Sequence, residues 1–138
     1  MNIAFFLVPK RDVAYIKYES TMRQALEKME YHRYTSVPLV DQDGKYAGTL
    51  TEGDLLWKIK NTSGLTFQNT SNVMIADIPL NRKNKPIHID AEMEDILSKS
   101  LEQNFVPVVD DEDHFIGIIR RREIIAYCFK HMEIEGHL

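Results

Sequence analysis

The sequence predicts a mixed α/β fold of the α+β kind, two tandem β-α-β-β-α repeats packed as one pseudo-twofold module, and three observations carry that prediction. The first is repetition: VPLVDQDGKYAGTLTEGDLL at 37–56 aligns without gaps onto VPVVDDEDHFIGIIRRREII at 106–125, at a constant offset of 69. Val37, Pro38, Val40, Asp41 and Gly48 recur as Val106, Pro107, Val109, Asp110 and Gly117, five identities in 20 positions, where unrelated segments would share roughly one or two. The second is a change of register upstream. There the offset becomes 71, so Ile16 and Tyr18 meet Ile87 and Ile89, and the second copy is two residues shorter before its central strand. The third is size, because neither copy is long enough to bury an apolar sheet face by itself.

Each copy parses in the same order. A short extended piece, VAYIKY at 13–18 or PIHI at 86–89, leads into a helix with apolar spacing. Met22, Ala25, Leu26 and Met29 carry that spacing in the first copy, and Met93, Ile96, Leu97 and Leu101 in the second. An apolar strand follows, SVPLV or FVPVV, then an acidic turn, DQDGK or DDEDH, and a second strand, YAGTL or FIGII, as in a hairpin. A closing helix starts near Thr51 or Arg120. The division expected is an N-terminal segment plus first copy over 1–60, a polar connector NTSGLTFQNTSN at 61–72, a second copy over 73–131 and a tail at 132–138.

Composition narrows the function classes. The 138 residues are 43% apolar and 28% charged, ordinary for a globular chain, and a net charge of −4 argues against a protein that coats nucleic acid. The apolar run IAFFLV at 3–8 is too short to span a bilayer and lacks a basic leader, which reads as cytoplasmic with no membrane partner. One cysteine, Cys128, excludes an internal disulfide, and its neighbours AYCF place it in a helix core. The histidines lack metal-ligand spacing, and no nucleophile-base-acid arrangement stands out, so neither a metal nor an enzyme is expected. His131 and His137 bracket the acidic tail, the basic loop NRKNKP at 81–86 reads as solvated, and Met22, Met29, Met93 and Trp57 read as core or dimer packing.

The unit β-α-β-β-α, with its Val-Pro-hydrophobic-Val-Asp strand end, a glycine in the third strand and Thr51-Glu52-Gly53-Asp54 at one corner, resembles the CBS domain. Two in tandem resemble a Bateman module, over residues 12–130. The resemblance implies a stand-alone CBS pair that forms a homodimeric disc through its helices, with an N-terminal segment packed as an extra helix or strand. It also implies up to two clefts between the repeats for adenine nucleotides. Carried over residue by residue, the first site combines Ala14, Tyr34, Thr35 and Ser36 with Arg120, Arg121, Arg122 and Glu123. The second combines Lys85, Asn104 and Phe105 with Thr51 and Asp54.

The two corners differ chemically. Thr51 and Asp54 fit a phosphate oxygen and a ribose diol under the resemblance, and they equally fit a helix N-cap of S/T-x-x-D/E spacing. At the other corner Arg120 and Glu123 replace the family's Thr or Ser and Asp. Three arginines at a helix start oppose the dipole by roughly 0.3 to 1 kcal/mol per close charge, a cost that a bound phosphate would offset. Pairing with the acidic turn at Asp110–Asp113 and with Glu123 is the alternative. The combination of Val-Ala-Tyr-Ile at 13–16, Tyr-Thr-Ser-Val-Pro at 34–38 and Arg121-Arg122 is also similar to small bacterial CBS pairs that bind cyclic di-AMP. Ser36 stands for their alanine, and Asp12 for a lysine often found there. The function this implies is a non-catalytic regulator whose ligand is cyclic di-AMP, or else AMP or ATP, and which controls a protein partner such as a metabolic or stringent-response enzyme. A nucleotide-independent dimerisation or interaction module is the rival reading.

Overall fold

The computed structural model of the chain describes residues 2–80 and 84–134. It divides into a continuous unit, Ala14–Asn84, and a discontinuous unit formed by Met1–Val13 with Lys85–Leu138.

The continuous unit contains β2 (Ile16–Lys17), α1 (Met22–His32), β3 (Ser36–Val40), β4 (Tyr46–Thr51) and α2 (Glu52–Asn61). Its three strands pair in the order β2-β3-β4, parallel and then antiparallel. Thr21 caps α1 through a box with Gln24: the Gln24 amide donates to the Thr21 hydroxyl at 3.2 Å and the Thr21 amide to the Gln24 side chain at 2.9 Å. The α1 positions Met22, Ala25 and Met29 are buried against Val37, Leu39 and Leu50 of the sheet. Each large aliphatic side chain buried in this way contributes about 1.5 to 3 kcal/mol relative to exposure.

The discontinuous unit repeats that plan with β5 (Ile87–His88), α3 (Met93–Ser100), β6 (Phe105–Val109), β7 (Phe115–Arg120) and α4 (Arg121–Ile134). Register follows the two sequence offsets: Ile16 pairs with Leu39 as Ile87 pairs with Val108, and both hairpins shift register at the same place, between Leu39 and Val40 and between Val108 and Val109. The tight turns match as well, with Asp41 and Asp110 each accepting two backbone N–H groups at 2.9 Å.

Three assignments come out differently from the sequence reading. The first thirteen residues belong with the second copy: after a 3-10 turn at Ile3–Phe6, β1 (Val8–Pro9) pairs antiparallel with β7, and Ile3 is buried in that unit's core. A proline is tolerated there because β1 is the edge of the sheet β1-β7-β6-β5. Residues just after the connector belong with the first copy, since the Met22 amide donates to the Val73 carbonyl and the Ile75 amide to the Ser20 carbonyl, and Ile75 and Ile78 are buried in the first core. The third concerns Leu101: α3 stops at Ser100, so Leu101 leaves the helical stripe and is 83% exposed.

The third-strand glycines show why both sheets accept a covering segment. Gly48 has φ +133°, and a Cβ there would lie 2.7 Å from the Leu80 side chain; Gly117 has φ +156°, and a Cβ there would meet the Val8 carbonyl oxygen. In the continuous unit the cover is fixed further by Tyr46, whose hydroxyl donates to the Asn84 carbonyl at 2.8 Å and lies 2.6 Å from the Thr49 hydroxyl. Burial pushes the Tyr46 hydroxyl pKa up to about 12, against the opposing pull of the Thr49 hydrogen bond. Phe115 takes the matching position in the other unit, where no hydroxyl exists to form such a tie.

Candidate functional site

Each unit brings together the entrance of its central strand and the corner before its last helix. In the continuous unit Ser36 is in register with Thr51, and the Glu52 amide donates to the Thr35 carbonyl at 3.0 Å. In the discontinuous unit Phe105 is in register with Arg120, and the Arg121 amide donates to the Asn104 carbonyl at 2.9 Å. Ala14, Tyr34, Thr35, Ser36, Thr51 and Asp54 therefore lie in one unit, and Lys85, Asn104, Phe105 and Arg120 to Glu123 in the other.

The Thr51 corner forms the N-cap that its spacing allows. The Thr51 hydroxyl accepts from the Asp54 amide at 3.2 Å, and the Asp54 carboxylate accepts from the Thr51 amide at 2.9 Å. Asp54 is 2% exposed, held by the cap at the start of α2. It borders a cavity of about 520 Å³ lined also by Trp57, Lys58, Asn61 and Leu80.

The arginine corner is built differently. Arg121 opens α4, half-buried, and its Nε donates to the Gln103 carbonyl at 2.9 Å, which fixes the guanidinium from one side; Arg120, Arg122 and Glu123 are exposed. The acidic turn does not neutralise these charges. Asp110 instead meets His114 at 3.4 Å, and His114 also reaches Glu112. The His114 amide, more than any other group, holds the Asp110 carboxyl below its ordinary range. Among the described residues, no ion pair involves Arg120, Arg121 or Arg122.

Other expected residues fall as follows. Tyr34 is 39% exposed at the end of α1, Thr35 is exposed, and Ala14 and Ser36 are half-buried. Lys85 and Asn104 are exposed, and Phe105 is 8% exposed within β6. Met22 and Met29 are core, Met93 and Cys128 are half-buried against the second core, and Trp57 is half exposed. Asn81, Arg82 and Lys83 of the basic loop, and His137, lie outside the described residues. Among the described residues, no cluster of His, Cys, Asp or Glu could hold a metal ion, and no helix is long and apolar enough to cross a membrane. Sequence reasoning missed the Gln103 carbonyl as the anchor of Arg121; the offset of 69, which sets Gln103 against Tyr34, was the available signal.

The CBS domain family matches residues 7–61 and 75–130. The chain belongs to the CBS-domain family. A solved structure of CbpB in complex with cyclic di-AMP superposes with a TM-score of 0.86 at 23% identity, covering 99% of this chain and 90% of that one. A structure of CBSX2 in complex with AMP gives 0.74 at 21% identity, covering 94% and 96%. Among curated proteins, cyclic di-AMP receptor B of Bacillus subtilis is 25% identical over 136 residues, 95% of this chain and 88% of the relative. Other curated relatives are longer, and this CBS pair spans between 20% and 62% of their length.

Proposed function

We propose that this CBS pair is a non-catalytic regulatory module that binds an adenine nucleotide, cyclic di-AMP in preference to AMP or ATP, and conveys its occupancy to a protein partner. The observation that carries the reading is the arginine corner: three guanidinium groups at a helix start without an acidic partner among the described residues, one of them held in place by a backbone carbonyl. Helix N–H groups and arginine forks suit phosphodiester oxygens, and two adjacent arginines suit a ligand with two phosphates. Arg121 and Arg122 neutralise charge, Thr35 and Ser36 supply hydroxyls, Ala14 leaves room, and the Tyr34 ring offers a face to adenine. Thr51 and Asp54 satisfy each other in the cap, so the second set, with Lys85, Asn104 and Phe105, ranks below the first. The similarity to cyclic di-AMP receptor B supports the choice of ligand. A homodimer, and a metabolic or stringent-response enzyme as the partner, complete the proposal, and the nucleotide must favour one conformation differentially to act as a switch.

The test is calorimetric titration of nucleotide-free protein with cyclic di-AMP, AMP and ATP, repeated on Arg121→Ala and Thr51→Ala. Cyclic di-AMP binding at micromolar or tighter affinity is expected, weakened at least about thirtyfold by Arg121→Ala, the scale of a lost charge-assisted contact, and nearly unchanged by Thr51→Ala. AMP or ATP binding that depends on Thr51 would instead make the chain an energy sensor using the second set. A second reading, a nucleotide-independent dimerisation module, is favoured by exposed apolar residues at α3 and α4, where Leu97, Ile125, Phe129 and Met132, with Leu101 just past the end of α3, surround a cavity of about 290 Å³. Absence of any nucleotide binding would select it.

A further inference from the structure

The first copy exceeds the second by two residues before its central strand: its helix α1 is three residues longer, eleven against the eight of α3, and the link that follows is one residue shorter. The longer helix ends on Tyr31 and His32. Arg33 then takes a left-handed conformation, φ 59° and ψ 36°, and the Tyr34 amide donates to the Met29 carbonyl at 3.0 Å. This reversal folds Tyr34 back along the last turn of the helix. Its ring lies parallel to the His32 imidazole, centroids 5.2 Å apart and planes within 15°. Tyr31 meets the same imidazole edge-on, at 4.9 Å and 84°. At the corresponding positions the second copy has Ser100, Leu101 and Gln103, which form no such stack.

An unsupported tyrosine at a strand entrance would turn about its side-chain bonds and lose that freedom when a base stacked on it. Here the imidazole already occupies one side, inside the range of favourable aromatic contacts. Tyr34 nonetheless stays 39% exposed and borders a cavity of about 570 Å³ lined by Leu26, Met29, Leu55, Leu56 and Phe67 together with the polar Glu30 and Glu52. A flat ring held from behind and open elsewhere is the form that a nucleobase recognises by its face.

We propose that His32 is a positioning residue for the nucleobase: stacked on Tyr34 and braced by Tyr31, it holds the tyrosine ring in the plane on which a purine lies. The inference rests on the nucleotide reading above and deepens it, because it assigns base recognition to the end of α1 and separates it from phosphate recognition at Arg121. His32 acts through Tyr34 and touches no phosphate. Its effect therefore depends on the tyrosine being present and is independent of the arginines.

The experiment titrates the full chain and the variants His32→Ala, His32→Phe, Tyr34→Ala and the double variant His32→Ala/Tyr34→Ala with cyclic di-AMP, while ring resonances of selectively labelled tyrosine are followed by NMR. His32→Ala is expected to weaken binding about three- to tenfold, the worth of one aromatic contact, and His32→Phe to restore it. The double variant should bind no worse than Tyr34→Ala, and Tyr34 ring signals should move upfield on titration in the wild type. Unchanged affinity in His32→Ala, or losses that add in the double variant, would overturn this inference and leave the nucleotide reading standing. A wild-type protein that binds no nucleotide overturns both.

Discussion

The two CBS repeats share a register and differ at their corners. In the continuous unit Thr51 and Asp54 satisfy each other and start a helix; in the discontinuous unit Arg121 starts one against the dipole, anchored by the Gln103 carbonyl in the loop before β6. One copy has a corner that serves its own fold. The other has an arginine where the cap threonine would stand and carries charge unmatched among the described residues.

The contrast can be broken most forcefully at the third-strand glycines. Gly117→Ala should destabilise by about 3 kcal/mol or more, because the added carbon meets the backbone of β1 and neither side can move without losing strand pairing. Gly48→Ala should cost about 1 to 2 kcal/mol, mostly backbone strain, since the Leu80 side chain can turn away. Denaturant unfolding of both variants checks the order, and equal losses would remove the distinction between a backbone cover and a side-chain cover.

The next effect concerns Tyr46, whose pKa is about 12 when folded against about 10 unfolded. Between those values the unfolded chain binds fewer protons than the folded one, so the contribution is fully present below pH 10 and is lost as pH rises toward 12, roughly 2 to 3 kcal/mol in all. In Tyr46→Phe, which imports the Phe115 solution, that slope should vanish, with about 1 kcal/mol lost at neutral pH from the bond to Asn84. Stability measured from pH 9 to 12 in both proteins reads it directly.

The smallest effects exchange the corners. Thr51→Ala should lose about 1 kcal/mol as the cap goes, and Arg120→Thr, which writes Thr-x-x-Glu ahead of α4, should gain about 0.5 to 1 kcal/mol. Shifts in Tm of opposite sign would confirm that the second corner trades stability for charge.

The repeat was legible because both copies keep the same turn and strand chemistry. The offsets of 71 and 69 relate Ile16 to Ile87 and Leu39 to Val108, and the structure pairs these residues alike in the two copies, Ile16 with Leu39 and Ile87 with Val108. Thr51 was legible as a cap by local spacing. What stayed hidden depends on partners far away in sequence: β1 is two residues long, contains a proline and has no periodic signal, and it becomes a strand only because β7 offers an open edge. The placement of Ile75 and Ile78 in the first core failed to show for the same reason. At the candidate site the residue types were readable, while the stack at His32 depends on the left-handed turn at Arg33, which composition does not announce.

The pairing of Val8 with Ile118 also sets an order of assembly on the ribosome. The continuous unit has all its strands and helices once Asn84 has emerged, before most of the second repeat is made. The β1 residues Val8 and Pro9 must wait, unpaired, until β7 leaves the exit tunnel, a long-range contact that closes late. A nascent chain stalled before residue 115 would carry every element of the first repeat and an N-terminal strand without its partner.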